Sequence, residues 1–341
     1  MTHEVLFSTQ NHLGIITLNR PEALNALSYA MMVLIKEQLV DWQHDTSIAA
    51  VLIQSHGKAF CVGGDVRAMA QMRTSPAQQI KFLGDEYRLN HFIHTYPKPY
   101  IALLNGMTMG GGVGISMHGS HPIASEKFIF AMPETKIGFF PDVGASHLFA
   151  QCPLHWSQYL GLTGEKIDYT RAFALGLIQH HVPSSSFERL VNDLSTMDLF
   201  VDAHARVTAC IQAHRLPPHA PDFDDDAHVR ACFSPDSMMA IEQQLTHHQS
   251  RWARDTLQKL RQCAPMSLRV TQRQLHLTRT LDFAACLNLD LQLAQHFLAA
   301  PDFYEGVRAV LIDKDHTPHW HPYHLREITE IMVDHYFQGT R

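Results

Sequence analysis

Short strand-like runs alternate with helix-like segments along the first half of the chain, and this alternation constrains the fold more than any other feature. The runs are apolar and rich in β-branched residues, as is typical of strands covered on both faces of a sheet. Four of them are LGIITL, AAVLIQS, PYIALLNG and EKFIFAMP. Between the first two, Ser28 can cap a helix whose apolar residues repeat at helical spacing, namely Met31, Leu34, Ile35, Leu39 and Trp42. Repeated strand-then-helix units predict an α/β fold with mostly parallel strands.

The pattern changes at about residue 185, beyond which strand-like runs nearly vanish. The segment HRLPPHAPDFDDDAH (214–228) is predicted to be a polar loop, and LDFAACLNLDLQLAQHFL (281–298) has helical character. A chain of 341 residues also exceeds the ~250 at which single cores usually stop growing. We therefore expect a core with the active site over residues 1–195 and a mainly helical region over residues 196–341.

Charge and composition argue against several classes of protein. A net charge of −6 without a Lys/Arg-rich run argues against nucleic acid as a partner. There is no run of about 20 apolar residues and no signal or transit pattern at the N-terminus, so we expect a cytoplasmic protein with no membrane partner. The six cysteines form no CxxC pair, which favours reduced thiols over a disulfide framework.

The segment HTPHWHPYH raises the question of a metal site. Its histidines could in principle ligate a metal ion: His316, His319, His321 and His324. The same segment holds two prolines and is better interpreted as a surface turn with exposed histidines. We therefore predict that the protein binds no metal.

Two carboxylates lie in the otherwise apolar segment FAMPETKIGFFPD (130–142). A carboxylate in such surroundings must find partners or shift its pKa upward, because an unpaired charge out of water is costly. Glu134 follows a predicted strand at its carboxyl end, where α/β sheets place ligands, so a site role is favoured over a buried ion pair. Asp142 follows Pro141 at the predicted start of a helix, where a capping role and a site role are equally favoured.

Two glycine-rich turns follow predicted strands. In KAFCVGGDVRAM, Gly63 and Gly64 can bring the backbone close to a ligand, although an ordinary turn before a capping Asp65 explains the pattern as well. The run NGMTMGGGVGIS contributes Gly110, Gly111, Gly112 and Gly114. This run matches neither G-x-G-x-x-G nor the phosphate loop, which disfavours nucleotide binding of those kinds. Tight backbone packing and stabilisation of an oxyanion by an amide both remain open.

Helical periodicity indicates a third carboxylate. In residues 77–99 the apolar positions Phe82, Leu83, Leu89 and Ile93 define one helical face. Glu86 falls on this face, three residues after Leu83 and three before Leu89. The pattern leaves open whether Glu86 points inward or lies at the exposed edge of the apolar stripe.

Taken together, these segments resemble the crotonase superfamily of enoyl-CoA hydratases and isomerases. The resemblance runs in order through ITLNRPEALNALS, KAFCVGGDVRAM, NGMTMGGGVGISMHG, FAMPETKIGFFPDVGASHLF and LTGEKIDYTRAFALGLIQHHV. The C-terminal segment DFYEGVRAVLIDKDHTPHWHP extends it to nearly the whole chain and is most similar to the branch of 3-hydroxyisobutyryl-CoA hydrolases. The resemblance implies a spiral core of ββα turns with a helical C-terminal region.

The resemblance also implies roles for individual residues. By motif position, the two backbone N–H groups of the family's oxyanion hole fall on Gly64 and Gly111. A hydratase of the superfamily carries one catalytic Glu where this chain has Gly114, and its second corresponds to Glu134. The pair needed to add water to a double bond is therefore incomplete, whereas thioester hydrolysis can use one carboxylate with the oxyanion hole.

Catalytic roles are thus implied for Glu134, Asp142, Gly64 and Gly111, and Glu86 is implied to contact the acyl end of the substrate beside Gly111, Glu134 and Asp142. The implied reaction is hydrolysis of a short β-hydroxyacyl-CoA, foremost 3-hydroxyisobutyryl-CoA of valine catabolism, to the free acid and CoA. Coenzyme A is part of the substrate, so no cofactor is expected, and superfamily members often form homo-oligomers. A hydratase or isomerase, and a non-catalytic acyl-CoA-binding protein, are the alternatives.

Overall fold

The computed structural model describes residues 3–216 and 225–339, so part of the predicted polar loop at 214–228 lies outside the described residues. The chain divides into two compact units that alternate along the sequence. Unit 1 comprises Met1–Asp65, Asp85–Phe130 and Ile167–Pro221, and unit 2 comprises Val66–Gly84, Ala131–Lys166 and Asp222–Arg341. The division at residue 195 expected from the sequence stays a prediction.

The strands of the described residues are β1 (Val5–Gln10), β2 (Leu13–Leu18), β3 (Ala50–Ser55), β4 (Ala59–Cys61), β5 (Tyr100–Leu104), β6 (Met107–Met109), β7 (His121–Ala124), β8 (Ile129–Ala131), β9 (Ile167–Asp168) and β10 (His180–His181). The α-helices are α1 (Tyr29–His44), α2 (Val66–Gln71), α3 (Pro76–His94), α4 (Gly111–Gly114), α5 (Ala145–Phe149), α6 (Leu154–Thr163), α7 (Tyr169–Ala174), α8 (Phe187–Thr196), α9 (Ala203–His214), α10 (Asp226–Phe233), α11 (Met238–His247), α12 (Arg251–Gln262), α13 (Pro265–Leu277), α14 (Phe283–Ala299), α15 (Asp302–Val307) and α16 (Glu330–Tyr336). Short 3-10 segments occupy Pro21–Ala23, Met72–Thr74, Glu134–Ile137, Ser184–Ser186, Thr278–Thr280 and Leu325–Glu327, and a π-helical turn spans Arg308–Ile312.

Unit 1 is built on a six-stranded sheet in the order β1-β2-β3-β5-β7-β10. The β1–β2 pair is antiparallel and the other pairs are parallel. Every residue of β2 is buried, because both faces of the strand are covered. Leu13 and Ile15 join a core that includes residues of α8 and α9, whereas Gly14 lies against the ring of Trp42 from α1. The sequence-based prediction of buried parallel strands is confirmed.

A second sheet has the order β4-β6-β8-β9. Its β4 and β6 strands are parallel, with Ala59 opposite Met107 and Cys61 opposite Thr108. Parallel pairing places the carboxyl ends of two strands at the same edge of a sheet. The two glycine-rich turns predicted from the sequence follow these two ends.

Unit 2 is mainly helical and has an aromatic core. Phe139 and Phe140 follow the Glu134–Ile137 turn and pack against Phe297 of α14, with ring centroids 5.6 and 5.2 Å away. The predicted helix at 281–298 is α14, capped by Asp282, whose carboxylate accepts a hydrogen bond from Ala285 N at 2.8 Å. Across residues 3–216 and 225–339, no helix is long and apolar enough to cross a membrane.

Two local predictions need refinement. Ser28 caps α1 as expected, accepting a hydrogen bond from Met31 N, but Leu34 from the predicted apolar face is 39% exposed. The helix expected at VGISMHG is limited to Gly111–Gly114, and turns follow it. Residues 111–114 are fully enclosed, so packing rather than helix propensity decides the conformation there.

The buried carboxyl of Asp302 makes a prediction about the pH dependence of stability. Burial raises its pKa to about 6, although it accepts a hydrogen bond from His321 N at 2.8 Å. A raised folded-state pKa means that stability falls as the pH rises from about 4 to 6 and stays reduced above that range. We expect Asp302→Asn to unfold at a higher temperature than the unsubstituted protein at pH 7.5 and at the same temperature at pH 4. Equal differences at both pH values, measured by circular dichroism, would contradict this assignment.

Candidate active site

The two glycine-rich turns of unit 1 bring two backbone amides together. Gly63 has a φ of +113° and Gly110 a φ of +48°, conformations that side chains rarely adopt. A Cβ atom added at Gly111 would lie 3.1 Å from Gly64 N, closer than real Cβ contacts normally come. The close approach of the two backbones therefore favours glycine at position 111. The paired N–H groups expected on Gly64 and Gly111 are neighbours in the structure.

Glu86 reaches the same place from α3. Its side chain is 2% exposed, so the inward orientation left open by the periodicity is the one observed. A Cβ atom at Gly111 would collide with Glu86 Oε1, and one at Gly64 would lie 3.9 Å from Glu86 Oε2. The carboxylate thus lies beside both glycines.

Cys61 lies at the end of β4, directly before this turn. Burial raises the pKa of its thiol to about 12, and the negative charge of Glu86 acts in the same direction. The thiol therefore stays protonated at neutral pH, and Cys61 has no thiolate with which to attack a substrate.

Asn90, which the sequence analysis did not single out, lies one helical turn beyond Glu86. It is fully buried, and neither polar atom of its amide has a hydrogen-bond partner among the described residues. A Cβ atom at Gly114 would lie 2.7 Å from Asn90 Nδ2. The amide therefore occupies the space into which a side chain at position 114 would project. The only sequence signal was its spacing of four residues from Glu86 on the same helical face.

In unit 2, Glu134 begins a tightly held 3-10 turn and is 8% exposed. Thr135 anchors the turn, since its hydroxyl donates to Leu162 O at 3.0 Å and its carbonyl accepts from Ala264 N at 3.0 Å. Lys136 Nζ donates to Gly164 O at 3.0 Å. The backbone that carries Glu134 is thus fixed by contacts distant in sequence.

Asp142 is buried in the turn that precedes α5 and is 7% exposed. The helix begins at Ala145, and its N-cap residue is Gly144, which has no side chain to cap it. The capping role that the sequence allowed for Asp142 is therefore wrong. Its backbone carbonyl, rather than its carboxylate, accepts a hydrogen bond from Ala145 N at 2.9 Å.

Unit 2 also contains two buried polar residues beside the Asp142 turn. They are the carboxyl of Asp290 and the amide of Gln274, and nothing in the sequence singled them out.

Within the two described stretches of the chain, no group of three or more His, Cys, Asp or Glu residues is arranged to hold a metal ion. The roles of Gly64, Gly111, Glu86, Glu134 and Asp142 stay predictions at this point.

Comparison with known proteins identifies relatives over nearly the whole chain. A sequence model of the enoyl-CoA hydratase/isomerase family matches residues 13–337. Relatives named 3-hydroxyisobutyryl-CoA hydrolase include a mitochondrial protein of Gallus gallus, 38% identical over 98% of this chain and 89% of its own length. Another, 3-hydroxyisobutyryl-CoA hydrolase 1 of Arabidopsis thaliana, is 35% identical over 98% of this chain and 91% of its own length. A mitochondrial relative of Homo sapiens is 36% identical with coverages of 98% and 89%.

Solved structures give the same fold. The crystal structure of a carnitinyl-CoA dehydratase from Mycobacterium thermoresistibile superposes with a TM-score of 0.90 at 31% identity, covering 99% of this chain and 97% of that one. An enoyl-CoA hydratase from Rhodobacter sphaeroides 2.4.1 gives 0.89 at 30% identity, with coverages of 99% and 98%. The α/β fold with a helical C-terminal region and the predicted resemblance are confirmed. The chain belongs to the crotonase, or enoyl-CoA hydratase/isomerase, family.

Proposed function

We propose that this protein hydrolyses the thioester of a short β-hydroxyacyl-CoA, foremost 3-hydroxyisobutyryl-CoA, to 3-hydroxyisobutyrate and CoA. The observation that carries the proposal within this fold is at position 114, which has no carboxylate, and where the Asn90 amide occupies the space beside the glycine. The names of the relatives from Gallus gallus and Arabidopsis thaliana support the same reaction.

The first step of the proposed mechanism is polarisation of the thioester carbonyl. The N–H groups of Gly64 and Gly111 donate to the carbonyl oxygen as it becomes an oxyanion. A single donor of this kind contributes about 3 to 4 kcal/mol in other enzymes. The adjacency of the two glycine backbones in unit 1 supports this role.

Glu134 acts either as the base or as the nucleophile in the attack on the thioester carbonyl carbon. In one route it accepts a proton from a water molecule as the water oxygen bonds to the carbonyl carbon, and collapse of the tetrahedral intermediate breaks the C–S bond. In the other route it bonds directly to the carbonyl carbon, expels the CoA thiolate and forms a mixed anhydride that water then hydrolyses. Either route consumes one water and yields the acid and the thiol. Mass spectrometry of the protein after turnover in hydroxylamine distinguishes them, because only the anhydride can leave a hydroxamate on Glu134.

The other two carboxylates orient the reactants. We assign Asp142 to positioning Glu134, the water or the substrate hydroxyl, and Glu86 to contact with the acyl end. The acyl preference is set by pocket shape, where one methyl group is worth only about 1 to 3 kcal/mol, so 3-hydroxypropionyl-CoA is the proposed second substrate.

Several finer expectations complete the proposal. CoA enters as part of the substrate, and the mechanism uses no cofactor or metal. Valine catabolism is the proposed setting, and homo-oligomers are expected. The cytoplasmic location expected from the sequence stays a prediction, since relatives from Gallus gallus and Homo sapiens are named mitochondrial.

The direct test of the reaction is thiol release. We expect purified protein to release free thiol from 3-hydroxyisobutyryl-CoA and to leave the conjugated double bond of crotonyl-CoA unchanged, because it has glycine at position 114, where a hydratase of the superfamily has one of its two catalytic Glu residues. A thiol reagent and ultraviolet absorbance follow the two reactions in parallel. Hydration of crotonyl-CoA without thiol release would favour the hydratase alternative, and tight binding without turnover would favour the non-catalytic one.

Glu134→Gln tests the catalytic carboxylate. The substitution keeps the size of the side chain but removes the base, so we expect kcat to fall by about 10²- to 10⁴-fold. Affinity for the substrate, measured by calorimetry, should change little. The matched control is Glu165→Gln, which alters a carboxylate of unit 2 that pairs with Lys259 on the surface. A Glu134→Gln variant with unchanged kcat would contradict the proposed catalytic role of Glu134.

The packing at Gly114 predicts a coupling between two substitutions. Gly114→Ala places a methyl group against the Asn90 amide and should destabilise the fold by about 1 to 3 kcal/mol, as overpacking usually does. In an Asn90→Ala background the same substitution should cost much less, because the obstructing amide is gone. Thermal unfolding of the four proteins measures the coupling. If the losses of unfolding free energy simply add, the Asn90 amide does not occupy the space beside Gly114.

A further inference from the structure

The turn that carries Asp142, residues 141–144, has an unfavourable backbone conformation. Val143 has a φ of +53°, a left-handed conformation that is a genuine outlier for a β-branched residue, and Gly144 follows with a φ of +73°. Such a conformation persists only where its surroundings hold it. The ring of Phe283 from α14 packs against Gly144, since an added Cβ atom would lie 3.0 Å from Phe283 Cζ.

Two buried side chains hold this turn on both sides of Asp142. Gln274 Nε2, from α13, donates to Pro141 O at 3.0 Å and to Asp290 Oδ1 at 2.8 Å. Asp290 Oδ2, from α14, accepts from Gly144 N at 2.8 Å. Because Pro141 O can only accept, the atom facing it must be the amide nitrogen of Gln274, which fixes the orientation of the amide. Pro141, immediately before Asp142, and Gly144, two residues after it, thus both form hydrogen bonds with the Asp290–Gln274 pair.

Asp290 is a costly residue to bury. Burial raises its pKa well above the ordinary value, and the nearby charge of Asp142 raises it further, while the hydrogen bond from Gly144 N acts in the opposite direction. A neutral or apolar residue of the same size would pack at lower cost. What only a carboxyl provides here is two acceptor oxygens for two N–H donors that converge from different elements.

We propose that Asp290 and Gln274 are positioning residues that hold the Asp142 turn, and so set the place of the Asp142 carboxylate during thioester hydrolysis. The inference rests on the proposed role of Asp142 and extends it to two helices that begin more than 120 residues later in the chain. Neither residue is assigned a contact with the substrate.

Two substitutions test the proposal. Gln274→Met keeps the length of the side chain but removes both N–H donors. Asp290→Asn keeps the shape but leaves one oxygen for two donors. We expect each to lower kcat by about 10- to 100-fold with KM changed less than about threefold, because a small displacement of a reacting group costs rate more than binding.

The matched control is Gln158→Met in α6 of the same unit. Gln158 is also fully buried, and its amide nitrogen donates to two backbone carbonyls, those of Phe233 at 2.7 Å and Pro235 at 3.1 Å. Because Gln158 Oε1 also accepts from Gln272 Nε2 at 2.9 Å, its loss should lower the unfolding temperature at least as much as Gln274→Met does while leaving kcat within about twofold of the unsubstituted protein. A purely structural role for Gln274 predicts the same kcat for both variants.

The Asp142→Asn background separates this inference from the proposed function. If Gln274 acts through Asp142, adding Gln274→Met to Asp142→Asn should lower the residual rate by less than about twofold. If the rate loss of the double variant equals the product of the two single losses, the positioning role of Gln274 is wrong, while the role of Asp142 stands. Full activity of Asp142→Asn alone would overturn the role of Asp142 and, with it, this inference.

Hydrogen exchange gives a readout independent of activity. In Gln274→Met or Asp290→Asn, the amides of Gly144 and Ala145 should exchange faster than in Gln158→Met, because the turn has lost an anchor. Unchanged exchange in the peptide that spans residues 141–145 would contradict the proposal. If Gln274→Met or Asp290→Asn fails to fold, hydrogen exchange in the other variant still tests the proposal.

Discussion

The parallel pairing of β4 with β6 is the constraint on which the candidate chemistry of unit 1 depends. Because the two strands end at the same edge, the turns after them meet, and the amides of Gly64 and Gly111 become neighbours. A Cβ atom at position 111 would lie 3.1 Å from Gly64 N and would collide with Glu86 Oε1. Glu86 then fills the remaining space beside both glycines, so one backbone contact organises three predicted site residues.

The same fold serves different reactions, so the fold alone does not identify the chemistry. A structure of a carnitinyl-CoA dehydratase superposes at a TM-score of 0.90 with 31% identity, while a relative with 38% identity is named 3-hydroxyisobutyryl-CoA hydrolase. In this chain, a hydrolase is distinguished from a hydratase by a local feature at position 114. Gly114 has no side chain, and the Asn90 amide occupies the adjacent space. An enzyme that needs a carboxylate at position 114 does not fit this arrangement, whereas thioester hydrolysis needs none there.

Helices of unit 2 hold two acidic turns in place. The Glu134 turn is held by the backbone of α6 and by the start of α13, and the Asp142 turn is held by side chains of α13 and α14. The aromatic rings that follow Glu134 pack on α14. Helices that look like a separate region in the sequence therefore determine where residues 134 and 142 lie within the unit.

The sequence by itself determined the buried parallel strands, the cap at Ser28, the helix α14 and, through its motifs, the family. It also singled out Glu134 and Asp142, because a carboxylate among apolar residues is conspicuous whatever its partners. Only the tertiary structure decided that Glu86 points inward, that Asp142 does not cap α5, and that Asn90 faces Gly114. It alone revealed the link between Asp290 and Gly144. Local patterns report on neighbours within a turn or two of the chain, whereas these contacts join residues that only the packing of strands and helices brings together.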